Sequence, residues 1–160
     1  MTTAEEESFA SARAAVPTDL AQLEELEAHA VELAAPQRGG ELYLLHDART
    51  TTLADLVGEP LAAVVVGTID GVPLGYAVAE VAMLTNNDRL GVISDLFVEP
   101  DARQVGVGEA MMNTLLEWAT AQGCRGVDAT ALPGDRHTKN FFESFGLVAR
   151  AISVHRALPT

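Results

Sequence analysis

The stretch Arg103-Gln104-Val105-Gly106-Val107-Gly108 holds the residue types and spacing best suited to chemistry in this chain. A strand-like apolar run precedes it and a helical periodicity starts within it, so its main-chain N–H groups stand at a helix start. There four donors lack intrahelical partners and the dipole end is positive, which suits a diphosphate. Gly106 and Gly108 carry no Cβ, so the chain turns sharply and phosphate oxygens approach the main chain closely. Arg103 adds a charge-assisted bond to the same oxygens. Paired glycines before a helix also occur as plain tight connections, so the neighbouring residues have to decide.

Two other phosphate-binding turns fit poorly. A Rossmann dinucleotide turn requires a third glycine or alanine where Met111 stands, and a shorter link than Val98 to Gly106. Asp128, near the distance expected of a ribose-binding acid, falls inside its strand rather than at the end. A nucleotide-hydrolase phosphate loop requires Gly-Lys-Ser/Thr, and none follows.

The turn needs a scaffold, and 160 residues, 48% of them hydrophobic, bury a core of single-domain size. Residues 1–8, with Glu5, Glu6 and Glu7, read as a disordered acidic leader rather than a signal peptide, and residues 9–160 as the folded domain. Phe9 to Val16 is an expected first strand, ended by Pro17. From Thr18, the expected cap, Leu20, Leu23, Leu26, Ala30 and Leu33 recur at helical spacing until Pro36. Gln37 to Pro60 is assigned a short helix or irregular cover. Leu61 to Ile69 and Leu74 to Leu84 form a hairpin about Asp70-Gly71, and a third strand runs from Gly91 to Val98.

Gly106 to Gln122 is the clearest helix, with Val107, Ala110, Met111, Leu115 and Trp118 on one stripe and Gly123 ending it. A strand from Gly126 to Leu132 follows. Pro133-Gly134-Asp135 then turns into a helix carrying Phe141, Phe142 and Phe145, capped by Asp135 and stopped by Gly146. Ala151 to Leu158 is the expected last strand.

Composition narrows the partners. A net charge of -13 opposes attraction to nucleic-acid phosphates, and no run reaches membrane-spanning length. Cys124 is the single cysteine, so no intrachain disulfide forms, and no Cys/His group has the ligand count of a structural zinc site. No metal is expected, and a reducing cytoplasm fits.

Leu96-Phe97-Val98-Glu99-Pro100 followed by Arg103 to Gly108 resembles the strand and pyrophosphate turn of the GNAT superfamily of N-acetyltransferases, whose motif is Arg/Gln-x-x-Gly-x-Gly/Ala. Asn140-Phe141-Phe142-Glu143-Ser144-Phe145-Gly146-Leu147 is similar to that family's second signature, an aromatic-Tyr-Glu-x-x-Gly-Phe segment after the next strand. The resemblance implies a single α/β (α+β) domain: a mixed, mostly antiparallel central sheet with a splayed strand pair, flanked by helices. It implies acetyl-CoA as cosubstrate and a primary amine as acceptor.

Carried over residue by residue, the resemblance gives Phe97 and Val98 main-chain pairing with the pantetheine arm, and gives the amides of Val105, Gly106, Val107, Gly108 and Glu109 the pyrophosphate. Arg103 and Gln104 stand beside that pyrophosphate. Asp135 falls near the pantetheine, Asn140 and Phe142 of the second signature join the cofactor-binding set, and Arg136 and Lys139 meet the phosphorylated ribose or form an exposed basic helix face. An alkyl ammonium must lose a proton before attacking a thioester, which calls for a carboxylate or water chain. Asp95 and Glu80 are the nominated acids, with strand alternation opposing Asp95 to its neighbours unless a bulge intervenes.

The departure from the family lies at the leaving group. Phe142 stands where the family usually has a tyrosine that protonates the thiolate, and a phenyl ring donates no proton. A thiol pKa of about 8.5 makes thiolate a tolerable leaving group without it. Tyr76 is a strand tyrosine better explained by burial, and His137 lies about 140° around its helix from Phe142. Phe142 therefore keeps a second reading open, a degenerate acyl-CoA-binding sensor without turnover. Exposed edge strands make a homodimer a further expectation.

Overall fold

The computed structural model describes residues 9–160; the expected acidic leader lies outside the described residues. In chain order the elements are β1 (Ala10–Ala14), α1 (Leu20–Ala34), α2 (Gly40–Leu42), α3 (Leu53–Leu56), β2 (Ala62–Ile69), β3 (Val72–Met83), β4 (Arg89–Val98), α4 (Val107–Ala121), β5 (Cys124–Ala129) and α5 (Arg136–Ser144). The strands form one sheet in the order β1-β2-β3-β4-β5. β1 to β4 are antiparallel neighbours, while β5 is parallel to β4 across the crossover helix α4. The mixed, mostly antiparallel sheet agrees with expectation.

Alternating side chains feed two cores, one on each face of the sheet. Val65, Ala77, Ala79 and Ile93 meet Val107, Met111, Met112 and Leu115 of α4 and Phe142 of α5. Val64, Val66, Tyr76, Val78 and Phe97 point the other way, to Leu23 and Leu26 of α1 and Leu53 and Leu56 of α3. The first turn of α4 lies flat on two strand glycines. A Cβ at Gly67 would come within 2.6 Å of Val107 Cγ1, and one at Gly75 within 3.0 Å of Met111 Cε. The sheet therefore fixes where the Arg103 to Gly108 turn sits.

Several expectations change. Thr18 is not the helix cap: a 3-10 turn, Pro17–Asp19, precedes α1 and places Asp19 at its N-cap without a side-chain cap bond. The Asp19 carboxylate is taken instead by Arg13, at 2.7 and 2.8 Å, and by the Val16 amide. Gln37 to Pro60 does form irregular cover, with α2 running into a π-helical turn at Tyr43–Asp47 and Thr52 capping α3 through the Asp55 amide. β5 begins at Cys124 and stops at Ala129, short of Leu132, where its ladder with its parallel partner β4 ends at the pair Ile93↔Ala129.

The expected last strand, Ala151 to Leu158, does not form; residues 147–160 have no regular structure. A strand exists only where its main chain runs beside another edge. This tail touches β5 through the Arg150–Asp128 ion pair and continues past the Ala35 to Leu45 segment, where His155 lies.

Candidate active site

The last parallel pair between β4 and β5 is Ile93 with Ala129. Beyond it β4 continues to Val98, bonded only to β3 on its other side, from Val78↔Asp95 to Gly75↔Val98. The main chain of residues 94–98 thus borders a cleft of about 1090 Å³ on its β5 side. The opposite wall comes from Thr130, Ala131 and Leu132, then Asp135, His137, Thr138, Phe141 and Phe142 of the α5 region. This is the splayed pair that the sequence implied.

At the cleft's end stands the turn. Gln104 has φ 67° and Gly106 has φ 96°, both left-handed. Glycine adopts that backbone freely, while at Gln104 it stores strain of the kind found at binding loops. Gly106, left-handed, leads directly into the right-handed first turn of α4, a succession that turns neighbouring N–H groups toward a common concavity as in an anion nest. A Cβ at Gly108 would stand 3.4 Å from the Phe141 ring, so α4 and α5 leave a narrow passage there. Arg103 Nε donates to the Val98 carbonyl at 3.1 Å, which lays its guanidinium over the Phe97 ring with a charged edge left to the cleft.

The nominated cofactor residues divide. Phe97, Val98, Arg103, Gln104, Gly106, Gly108, Glu109, Asp135 and Phe142 line the cleft. Val107, the first residue of α4, is buried against the sheet and Val105 is exposed, and neither side chain lines the cleft. Asp135 caps α5, accepting from the Thr138 amide at 3.0 Å and hydroxyl at 2.6 Å. Lys139 lies on the outer face, 3.7 Å from Glu143, and Asn140 is exposed beside it.

The other half of the cleft is built by charge. β4 carries one extra residue at Ser94, since Val78 pairs with Asp95 and Ala79 with Ile93. This bulge sends both Ser94 and Asp95 toward the cleft. Arg49, with only 7% of its side chain exposed, grips Asp95 in a fork, Nε and Nη2 each 3.0 Å from a carboxylate oxygen. Tyr76 Oη donates to Asp95 Oδ2 at 2.8 Å, and Ser94 Oγ to Oδ1 at 2.7 Å. Arg49 Nη2 also meets Glu27 Oε2, and Nη1 the Thr51 carbonyl. Each Asp95 oxygen therefore accepts two bonds, filling the carboxylate's lone-pair sites.

Electrostatics follow from this packing. Burial favours loss of the Arg49 proton, but bonding to Asp95 and Glu27 outweighs it and holds the group above its ordinary range. Burial pushes the Tyr76 hydroxyl up, and the adjacent Asp95 charge adds to the effect, so it stays a proton-bearing donor to Asp95. Tyr43, whose hydroxyl reaches the Ser94 carbonyl at 3.3 Å, is raised by burial and then by Asp95 and Asp47.

Sequence reasoning missed Glu27, Tyr43 and Arg49. Glu27 had a signal: it lies four residues after Leu23, on the apolar stripe of α1, where an acid requires a reason. Arg49 had none, standing in a polar loop. Glu80 pairs with Ala62 and Val92 and is not among the cleft-lining residues.

A sheet opened at a parallel strand pair, ending in a left-handed glycine turn at a helix start, invites comparison with known acyltransferases. The model of the acetyltransferase (GNAT) family matches residues 22–147. The chain belongs to the GNAT family. An uncharacterized N-acetyltransferase of Methanocaldococcus jannaschii is 26% identical over 86 residues, 52% of this chain and 38% of that relative's length. Among solved structures, the BH1408 protein of Bacillus halodurans superposes with TM-score 0.77 at 17% identity, covering 92% of this chain and 99% of that one. The aminoglycoside N-acetyltransferase AAC(6')-Iy, solved with CoA, superposes with TM-score 0.71 at 18% identity, covering 99% and 100%. These likenesses agree with the GNAT fold read from the sequence.

Proposed function

We propose that this GNAT chain transfers an acetyl group from acetyl-CoA to a primary amine. The observation that carries the reading is the junction of two sites in one cleft: the open β4 main chain running into the Arg103 to Gly108 turn. The N–H groups of residues 105–109 and Arg103 hold the pyrophosphate, and the pantetheine arm pairs with β4 beyond Ile93 as an added strand. The thioester then reaches the Ser94–Asp95 bulge. A neutral amine attacks the thioester carbon, main-chain N–H on β4 holds the developing oxyanion, and the C–S bond breaks to release CoA thiolate.

Asp95, nominated from sequence as the base, is bonded at both oxygens and acts in this reading as the organiser of the acceptor half. Glu27 lines the same cleft and meets Arg49 through Oε2. Its Oε1 takes the ammonium proton, directly or through water. Glu24, Glu27, Asp95, Glu109 and Asp135 outnumber Arg49 and Arg103 in the cleft, which supports a cationic acceptor. Aminoglycosides enter the candidate acceptors from the AAC(6')-Iy likeness. A cytoplasmic, metal-independent enzyme fits the single cysteine and the acidic surface.

The test is release of free thiol from acetyl-CoA with polyamines, aminoglycosides, amino acids and lysine peptides as acceptors, with mass detection of the product. Turnover with a polycationic amine supports the proposal. Phe142 favours a second reading, acyl-CoA binding without turnover: tight CoA binding with no thiol release for any amine would establish that sensor instead.

A further inference from the structure

The two halves of α1 are held differently. Its buried residues, Leu23 and Leu26, lie in the first half, while Ala28, Val31 and Ala34 of the second half line the cleft. A side-chain bond reaches from this second half to the sheet: His29 Nδ1 donates to Glu99 Oε2 at 2.7 Å, across 70 positions of chain. The His29 ring also stands edge-on to Phe97, with centroids 5.7 Å apart. Neither His29 nor Glu99 lines the cleft. Glu99 is itself a junction. Its amide donates to the Leu74 carbonyl at 2.8 Å at the end of β4, and its carbonyl accepts from the Ala102 amide at 2.9 Å in the short turn that leads to Arg103. The Arg103 guanidinium in turn lies 6.0 Å from the centroid of the Phe97 ring. The cleft wall on α1, the open strand and the Arg103 turn therefore meet at Phe97 and Glu99.

We propose that His29 is a positioning residue that couples the two halves of the cleft: through Glu99 and Phe97 it fastens the second half of α1 to the strand end that the cofactor orders. What fills each half is taken from the acetyl-transfer reading. A pantetheine arm added to β4 beyond Ile93 and a diphosphate drawn to Arg103 both restrict residues 94–99. Whatever restricts Glu99 then restricts α1 through His29. The pair is partly exposed, with 37% and 27% of its side chains accessible, so it adds little to stability. Its effect is on direction. Glu27, two residues before His29, meets Arg49, which grips Asp95 at the bulge. Tied there alone, the second half of α1 can pivot; tied at Glu99 as well, it holds the Glu27 carboxylate and the Ala28 to Ala34 wall at a fixed distance from the bulge.

Hydrogen–deuterium exchange with and without CoA reads the coupling in the absence of turnover. In the parent, CoA is expected to slow exchange of residues 29–34 about fivefold or more. His29→Ala should keep the circular dichroism spectrum and near-parental CoA affinity, yet lose most of that slowing. His29→Asn, whose amide still donates to Glu99, should retain it. With an amine that turns over, His29→Ala should lower kcat about 10- to 100-fold while the KM for acetyl-CoA hardly moves. Equal slowing in the parent and His29→Ala, or none in a parent that binds CoA, overturns the proposal. Slowing that His29→Ala abolishes, with no thiol release from any amine, upholds the coupling and sinks the acetyl-transfer reading. Absence of CoA binding sinks both.

Discussion

The two halves of the cleft are made by different means. The half proposed for the cofactor comes from consecutive residues of one strand and one turn, and offers mainly main chain: β4 beyond Ile93 and the left-handed Gln104 and Gly106. The half proposed for the acceptor gathers Glu27 from α1, Arg49 from a loop, Tyr76 from β3 and Asp95 from the β4 bulge, and is held by side-chain charge. Main-chain sites tolerate side-chain change so long as the path of the chain is kept. A buried charge cluster depends on every member, since removing one leaves another uncompensated.

The sharpest way to break this contrast is Arg49→Ala. Asp95 would stay buried with its fork partner gone, at a cost of about 3 to 5 kcal/mol in urea unfolding, while acetyl-CoA affinity of the folded fraction should hardly change. Replacing both Arg49 and Asp95 with apolar residues should recover much of that stability. Glu27→Gln is next: kcat should fall about 10²- to 10⁴-fold, with CoA affinity by calorimetry unaffected and the ammonium-linked limb of the pH–rate profile altered.

The converse perturbation is Gly108→Trp, which fills the passage beside Phe141. It should weaken acetyl-CoA binding by about 100-fold or more, roughly 2.7 kcal/mol, with a normal unfolding midpoint. Phe142→Tyr returns a proton donor to the cleft; single-turnover thiol release should rise by less than about tenfold, with the largest gain below the thiol pKa.

The smallest effect lies outside the cleft. Arg13 and the Val16 amide hold the Asp19 carboxyl at about 2. A carboxyl lowered on folding stabilises above its unfolded pKa of about 3.9 and loses that contribution as pH falls through the folded value. Stability should therefore slope downward between about pH 4 and pH 2, and Asp19→Asn should flatten that slope in acid-unfolding curves.

The core strands, the α4 stripe, the Asp135 cap and the glycine turn were legible because each is a local pattern: alternation, helical spacing, or a residue whose backbone freedom a turn requires. Thr18 failed as a cap because Arg13 and Asp19, six residues apart, set the entry to α1 through an ion pair that no local rule encodes. The tail from Ala151 to Leu158 has strand alternation, yet alternation states only that a face wants covering and not which edge will cover it.

Sequence by itself determined the half of the cleft proposed for the cofactor, because the direction of its main-chain N–H groups follows from glycine placement and a helix start within six residues. Only the tertiary structure decided the acceptor half. The Ser94 bulge exists through the register of β4 on β3, and Arg49 meets Asp95 across 46 positions of chain. Their charges are held together because burial leaves them no water to turn to, and that condition belongs to the packed molecule rather than to any stretch of its sequence.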